Sequence, residues 1–232
     1  MKLTTQLALK LFPAHTWQAM HMEWTMTRLR LMNAILPSRR QMADRAASLS
    51  DVRLHLGCGR RVMEGWMNVD CFSAPGIDLI WDLRQPLPMK AGAARMIYSE
   101  HVIEHLHFDE ARGFLAECFR LLKPGGRFRL GMPDAEIYYR AYVDGKTEFF
   151  TSLAHLGGST EALDTPNRVI NHMFRMGGHH FFAWDFETLK KELERAGFTG
   201  VEKSKSGSAS IPELCLDDPA HEFETLYIEA TK

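Results

Sequence analysis

The stretch VRLHLGCG, residues 52 to 59, alternates apolar and polar side chains and then breaks into Gly57-x-Gly59. Alternation followed by glycine predicts a β-strand that ends in a sharp turn. Glycine there lets the backbone turn and lie against a ligand with no Cβ in the way. Alone, a GxG after a strand is a weak signal. What surrounds it decides the fold.

Downstream, GWMNVD (65 to 70), IDLIWD (77 to 82), ARMIYS (94 to 99) and RFRLGMP (127 to 133) read as four more strands. VEKSKSG (201 to 207) and FETLYIEAT (223 to 231) complete the set. Between them, FDEARGFLAECFRLL (108 to 122) places Phe114, Leu115, Cys118, Phe119 and Leu122 at helical spacing, with KPGG (123 to 126) as its stop signal. DFETLKKELERAGF (185 to 198) predicts a second helix with Asp185 as N-cap and Gly197 at its end. Strands alternating with helices imply an α/β fold: a doubly wound, seven-stranded, mostly parallel sheet whose last strand is antiparallel. Residues 134 to 184 read as an irregular insert rich in aromatic residues and histidine.

In such sheets ligands bind beyond the carboxyl ends of the strands. Asp70 ends the second strand, where a carboxylate can accept from both ribose hydroxyls. Asp82 ends the third, where a carboxylate can accept from an adenine amino group; alone, each of these aspartates reads equally well as a surface turn residue. The third glycine of the dinucleotide fingerprint is missing, because Val62 stands in its place. That counts against a nicotinamide cofactor.

Taken in order, LHLGCG, NVD, WDLRQPLP, SEHVIEHL, FRLLKPGGRFRLGMPD and LERAGF resemble the motifs of class I S-adenosylmethionine-dependent methyltransferases. The likeness spans about residues 52 to 232 and is greatest to a small bacterial group related to the type 11 methyltransferases, found among genes for surface polysaccharide assembly. It implies S-adenosylmethionine as cofactor. It places Gly57, Cys58 and Gly59 at the methionine part, Asp70 on the ribose, Asp82 and Leu83 at the adenine, and Glu100 and His101 near the reactive methyl.

The run SEHVIEHLH (99 to 107) also holds His101-x-x-Glu104-His105, the ligand pattern of one zinc-peptidase class. Such a site needs a long helix and a third ligand elsewhere. This run follows a strand closely, so no metal is expected, and a zinc hydrolase remains a remote alternative. Glu104 and His105 are expected to fix the turn by hydrogen bonding.

Methyl transfer from a sulfonium is an in-line displacement whose donor is already activated. The protein mainly aligns the acceptor and excludes water. A hydroxyl acceptor gains from a general base. The catalytic candidates are Asp134 after the fifth strand, His101, and His180 (or His179) on a lid formed by NHMFRMGGHHFFAWD (171 to 185). The tyrosines Tyr138, Tyr139 and Tyr142 fit either helix packing or a wall against a sugar. The expected acceptor is a small or glycan-linked molecule methylated at oxygen. A non-catalytic cofactor-binding or scaffold protein of the same fold is the competing reading.

The composition limits the rest. The 232 residues are 45% hydrophobic and 25% charged with net charge −1, so no global field favours nucleic acid. Cys58, Cys71, Cys118 and Cys215 show no metal spacing and read as reduced thiols of a cytoplasmic protein. No apolar run is long enough for a membrane span. Residues 1 to 50 carry seven Lys or Arg against Glu23 and Asp44, interleaved with Leu, Met and Trp. They read as a basic amphipathic helical extension to a methyltransferase domain at 51 to 232. Packing on that domain is the plainer expectation. Peripheral contact with the inner membrane face, or dimer contact through residues 1 to 45, is the sharper one.

Overall fold

The computed structural model describes residues 11–153 and 163–232. The expected first residues of the extension, Lys2 and Lys10 among them, and residues 154–162 of the expected insert lie outside the described residues.

Among the described residues, two helices precede the sheet, α1 (Ala14–Ile35) and α2 (Pro37–Ser48). The strands are β1 (Val52–Leu56), β2 (Met67–Asp70), β3 (Leu79–Ile80), β4 (Ala94–Glu100), β5 (Leu122–Pro133), β6 (Thr199–Ser204) and β7 (Thr225–Thr231). They form one sheet in the order β3-β2-β1-β4-β5-β7-β6. Pairing is parallel from β3 to β5, and β7 runs antiparallel to both β5 and β6. This is the sheet the sequence predicts. KPGG differs: it does not separate a helix from a strand but lies inside β5, which begins at Leu122 and pairs with Ala94 across a register shift.

Helices α3 (Phe108–Leu121) and α7 (Phe186–Ala196) lie on one face of the sheet. Their buried Phe114, Leu115, Leu189 and Leu193 join Leu54, Leu56, Ile97, Phe128, Leu130 and Ile228 in a single core. Asp185 caps α7 by accepting from the Thr188 amide at 2.8 Å, as expected. The opposite face carries no such helix. Among the described residues, the β1–β2, β2–β3 and β3–β4 connections contain no helix. Instead the connection from β6 to β7 folds back, so that Leu214 packs on Trp66 and Tyr98. Arg129 of β5 is fully buried here, paired with Asp217 at 2.5 Å and Glu229 at 2.7 Å.

The described residues between 134 and 184 are not irregular. They contain α4 (Ala135–Val143), α5 (Thr147–Leu153) and α6 (Pro166–Arg175), which share a small core of Tyr138, Phe150, Leu153, Val169 and Met173. Tyr138 is buried, whereas Tyr139 and Tyr142 are exposed, so the three tyrosines form no common wall.

Candidate active site

The turn after β1 is shaped by two glycines with positive φ, Gly57 at 71° and Gly59 at 57°. A Cβ at Gly57 would lie 2.1 Å from the Val102 side chain, so only glycine lets the β1 turn meet the β4 turn. At Gly59 an added Cβ would meet nothing within 4 Å. The outer side of this loop is therefore open to a ligand.

The Gly59 amide donates to Asp70 Oδ2 at 2.7 Å, and the Cys71 amide donates to Oδ1 at 2.7 Å. The carboxylate at the end of β2 thus fixes the glycine bend at the end of β1, and each oxygen keeps a lone pair for a hydroxyl. Cys58 and Cys71 flank this pair. Burial pushes their thiols up to about 11 and about 12, so both stay protonated and act as apolar lining.

Asp82 lies just past β3 but is not bare. Its Oδ2 accepts from Arg30 Nε and Nη2 at 2.9 and 2.7 Å, and Arg84 Nε donates to Oδ1 at 3.0 Å. Burial alone would raise this carboxyl; the hydrogen bonds from Arg84 and Arg30 outweigh it and hold it low. Arg30 comes from α1. Asn33 of the same helix donates to the Ile80 carbonyl at 2.9 Å, and Glu23 pairs with Arg84 at 2.5 Å. Met26 and Leu29 pack on Cys58, Ile77 and Ile80. A Cβ built at Gly178 would lie 3.6 Å from Gln18 near the other end of α1. The N-terminal helix therefore roofs the rim formed by the carboxyl ends of the strands. Leu83 lies beside Asp82 but packs into the main core.

Glu100 behaves differently from the expectation at the reactive centre. Its carboxylate accepts from Arg61 at 2.9 Å, the Asp218 amide at 3.2 Å and Tyr227 at 2.5 Å. Arg61 also donates to the Leu216 carbonyl. Glu100 is a hub joining the β1 turn to the β6–β7 connection. It is turned to the face opposite α3 because successive side chains along β4 alternate.

His101 is one of three non-glycine residues with positive φ among the described residues, at 52°. Non-glycine residues pay roughly 1–3 kcal/mol in such a conformation, and such strain gathers at functional sites. Its Nδ1 lies 3.1 Å from Glu104 Oε1 and its Nε2 lies 3.0 Å from Thr225 Oγ1. Burial would lower the imidazole; the hydrogen bond to Glu104 outweighs it and raises it. Burial would likewise raise Glu104, but His101 and its charge hold that carboxyl down. Glu104 and His105 lie on a single 3-10 turn, Ile103–His105, not on a long helix. They do fix the turn, as the sequence suggests.

Two further candidates are already bonded to backbone groups. Asp134 is buried and caps α4, its Oδ1 accepting the Glu136 amide at 2.9 Å; burial raises its carboxyl. That makes it a structural cap held by the backbone. His180 is also buried, with Nδ1 on the Met173 carbonyl at 2.5 Å, and burial lowers its imidazole. It is tucked under the segment after α6 and stacks edge-on to His105 at 4.6 Å, so no lid presents it to solvent. A cleft of about 250 Å³ lies at the opposite, amino-terminal edge of β1 and β2, lined by Met42, Arg53, Trp66 and Asp78, far from the glycine bend. Sequence reasoning missed Arg30, Arg84 and Arg61. Arg30 and Arg61 are long-range partners of the strand-end carboxylates, 52 and 39 positions away, and no local pattern marks them; Arg84 follows Asp82 by two residues and is legible in WDLRQPLP.

A sheet in this order, with a glycine bend pinned to an acidic strand end, defines a class: the nucleoside-binding α/β domains that carry a cofactor across their carboxyl edge. Comparison narrows it. A family profile described as "Methyltransferase domain" matches residues 26–203. The chain belongs to this family of class I S-adenosylmethionine-dependent methyltransferase domains. A curated relative from Mycolicibacterium smegmatis, "Probable S-adenosylmethionine-dependent methyltransferase", is 31% identical over 91 residues. That match covers 39% of this chain and only 35% of the relative's length. A Thermotoga maritima structure titled as a SAM-dependent methyltransferase, possible histamine N-methyltransferase, aligns with TM-score 0.49 at 17% identity, covering 94% of this chain and 97% of that one. A SAM-dependent methyltransferase from Archaeoglobus fulgidus aligns with TM-score 0.48 at 16% identity, covering 88% and 94%.

The residues present fit S-adenosylmethionine at its methionine and ribose ends. The open side of Gly59 and the two Asp70 oxygens offer what those parts need. At the adenine end, Asp82 is already held by Arg30 and Arg84.

Proposed function

We propose that the protein transfers a methyl group from S-adenosylmethionine to a hydroxyl of a small-molecule or glycan-linked acceptor. The observation that carries this reading is the pinned Gly59–Asp70 bend at one end of the rim and the strained, carboxylate-held His101 at the other. Gly57, Cys58, Gly59 and Asp70 would hold the cofactor, with Asp82 and Leu83 at its adenine end. When bound, the cofactor supplies an electrophilic methyl on a sulfonium.

The chain's own part is positioning and proton removal. Glu104 keeps the proton on His101 Nδ1, which leaves Nε2 as the basic atom. In this structure Nε2 faces the Thr225 hydroxyl at 3.0 Å, a position that an acceptor hydroxyl would take over. His101 is thus the base we favour over Asp134 and His180, both of which are committed to backbone groups. A glycan acceptor is the finer part of the reading, and it rests on the resemblance of the motifs to the polysaccharide-linked group.

α1 also presents Met20, Trp24, Leu31 and Ile35 to solvent while Met26 and Leu29 face inward. No described helix is long and apolar enough to cross a membrane. An outer apolar face of this kind, with Arg28 stacked on Trp24, suits peripheral lipid contact, consistent with a glycolipid acceptor.

The test has two stages. Calorimetry with S-adenosylhomocysteine measures cofactor binding. Asp70→Ala should weaken it by about 1–3 kcal/mol, the value of hydrogen bonds to a charged acceptor. Incubation with labelled donor and fractionated cell extract then identifies the acceptor. His101→Gln should lower turnover roughly 10²–10⁴-fold while leaving cofactor affinity unchanged. A folded protein that binds no cofactor defeats the reading. Binding without any labelled product would instead favour the scaffold alternative.

A further inference from the structure

One buried group is left unexplained by methyl transfer. Glu104 is only 2% exposed, and its Oε2 has no hydrogen-bond partner. His101 serves Oε1 alone. A carboxylate oxygen shut away from water without a donor is strongly unfavourable, and an ion or an ordered water beside it would relieve that cost.

The neighbouring side chains are oriented to hold one. His105 Nδ1 lies 3.0 Å from the His179 carbonyl, and His180 Nδ1 lies 2.5 Å from the Met173 carbonyl. A carbonyl only accepts. Each Nδ1 therefore carries a proton, which leaves Nε2 as the nitrogen of each ring that can ligate. A ring N–H fixed on a backbone carbonyl is the support that metal-ligating histidines ordinarily have. One donor atom each from Glu104, His105 and His180 falls within 4.8 Å of the others. Ligands about 2 Å from a shared ion stand roughly 3–4 Å apart, so a small side-chain adjustment closes the set. The Phe181 amide, 2.8 Å from the Glu104 carbonyl, already ties the two segments together.

We propose that Glu104, His105 and His180 bind a divalent transition-metal ion of the zinc class, joining the turn after β4 to the segment after α6. Two imidazoles and one carboxylate suit borderline ions over magnesium or calcium. His105 is the most exposed ligand, its side chain 38% accessible, so solvent or an oxygen ligand completes the coordination from that side. The site differs from the peptidase pattern, because His101 is replaced by His180. It shares Glu104 with the methyl-transfer reading, through the oxygen that faces His101, but does not depend on that reading.

A second cluster, His101, His221 and Glu224, serves as the internal control. There both His101 nitrogens are bonded, and Glu224 is taken by His221 and Tyr138. The full chain, stripped by a chelator, is titrated with zinc chloride by calorimetry and with cobalt chloride by visible absorption. One ion per chain is expected, with a cobalt spectrum showing mixed nitrogen and oxygen ligation. Glu104→Gln and His180→Ala should each weaken binding by about tenfold or more, and His221→Ala should leave it unchanged. Since His180 is buried, His105→Ala on the half-exposed ligand gives the same test in a variant whose folding is verified by circular dichroism. The proposal is overturned if folded protein binds no ion, if binding survives His105→Ala and His180→Ala, or if His221→Ala abolishes it.

Discussion

The two faces of the sheet are built from different materials. On one, α3 and α7 cover β1, β4, β5 and β7 with Leu, Ile and Phe, and the buried charges Glu117 and Glu192 are held at its margin by Arg120 and Arg112. On the other, the β6–β7 connection covers the same strands with a buried ionic network. Arg129 reaches Asp217, Glu229, Ser204 and the Lys205 carbonyl, and its guanidinium sits 4.9 Å from the Tyr227 ring centroid. Beside it, Glu100 gathers Arg61, Tyr227 and Asp218, and His55 bonds Asn68. The difference teaches where tolerance lies. An apolar face loses stability in proportion to the volume removed, whereas a paired buried charge leaves its partner stranded when deleted.

The sharpest way to expose this contrast is Arg129→Ala. It strands Asp217 and Glu229 and should destabilise by about 3–5 kcal/mol in urea unfolding. A loss below 1 kcal/mol would mean the network is solvated and the two faces are alike. On the helical face, Leu115→Ala, a fully buried site, should cost about 3 kcal/mol from transfer and cavity terms.

Acid should separate the faces further. Burial lowers His55 from 6.5 to about 4, despite the hydrogen bond to Asn68. The unfolded chain then binds a proton that the folded chain refuses. This contribution is complete above pH 6.5 and is lost as pH falls toward 4, by up to about 3 kcal/mol. His55→Gln should flatten that part of the stability–pH curve, and Leu115→Ala should leave its shape intact. The smallest effect belongs to a helix end: Asp185→Ala removes the α7 cap and should cost about 1 kcal/mol.

The same contrast explains what the sequence reveals. All seven strands and both α3 and α7 are legible, because period-2 and period-3.6 patterns record which side chains face an apolar layer. The polar face leaves no such trace. Arg129 and Asp217 lie 88 positions apart, and Arg30 and Asp82 lie 52 apart. Neither pair has a local signature. Residues 134 to 184 misled for another reason. In α4, Tyr139, Tyr142 and Val143 are exposed while Tyr138 is buried, so aromatic residues on both sides blur the helical period. A signal for α6 was present in Thr165-Pro166, an N-cap followed by proline at the first helical position. At the site, Gly57, Gly59 and Asp70 stand at the predicted strand ends. Asp134 and His180 misled because a residue's place after a strand or in a histidine-rich loop does not say whether the backbone has already claimed it.

α1 touches both ends of the rim, through Arg30 and Asn33 at β3 and through Gln18 beside Gly178. Under the proposed function, a displacement of this helix would alter contacts at the nucleoside end and at the histidine-rich segment together. A tug on the leading helix, from a lipid surface or a neighbouring chain, would register at both doors of the chamber together.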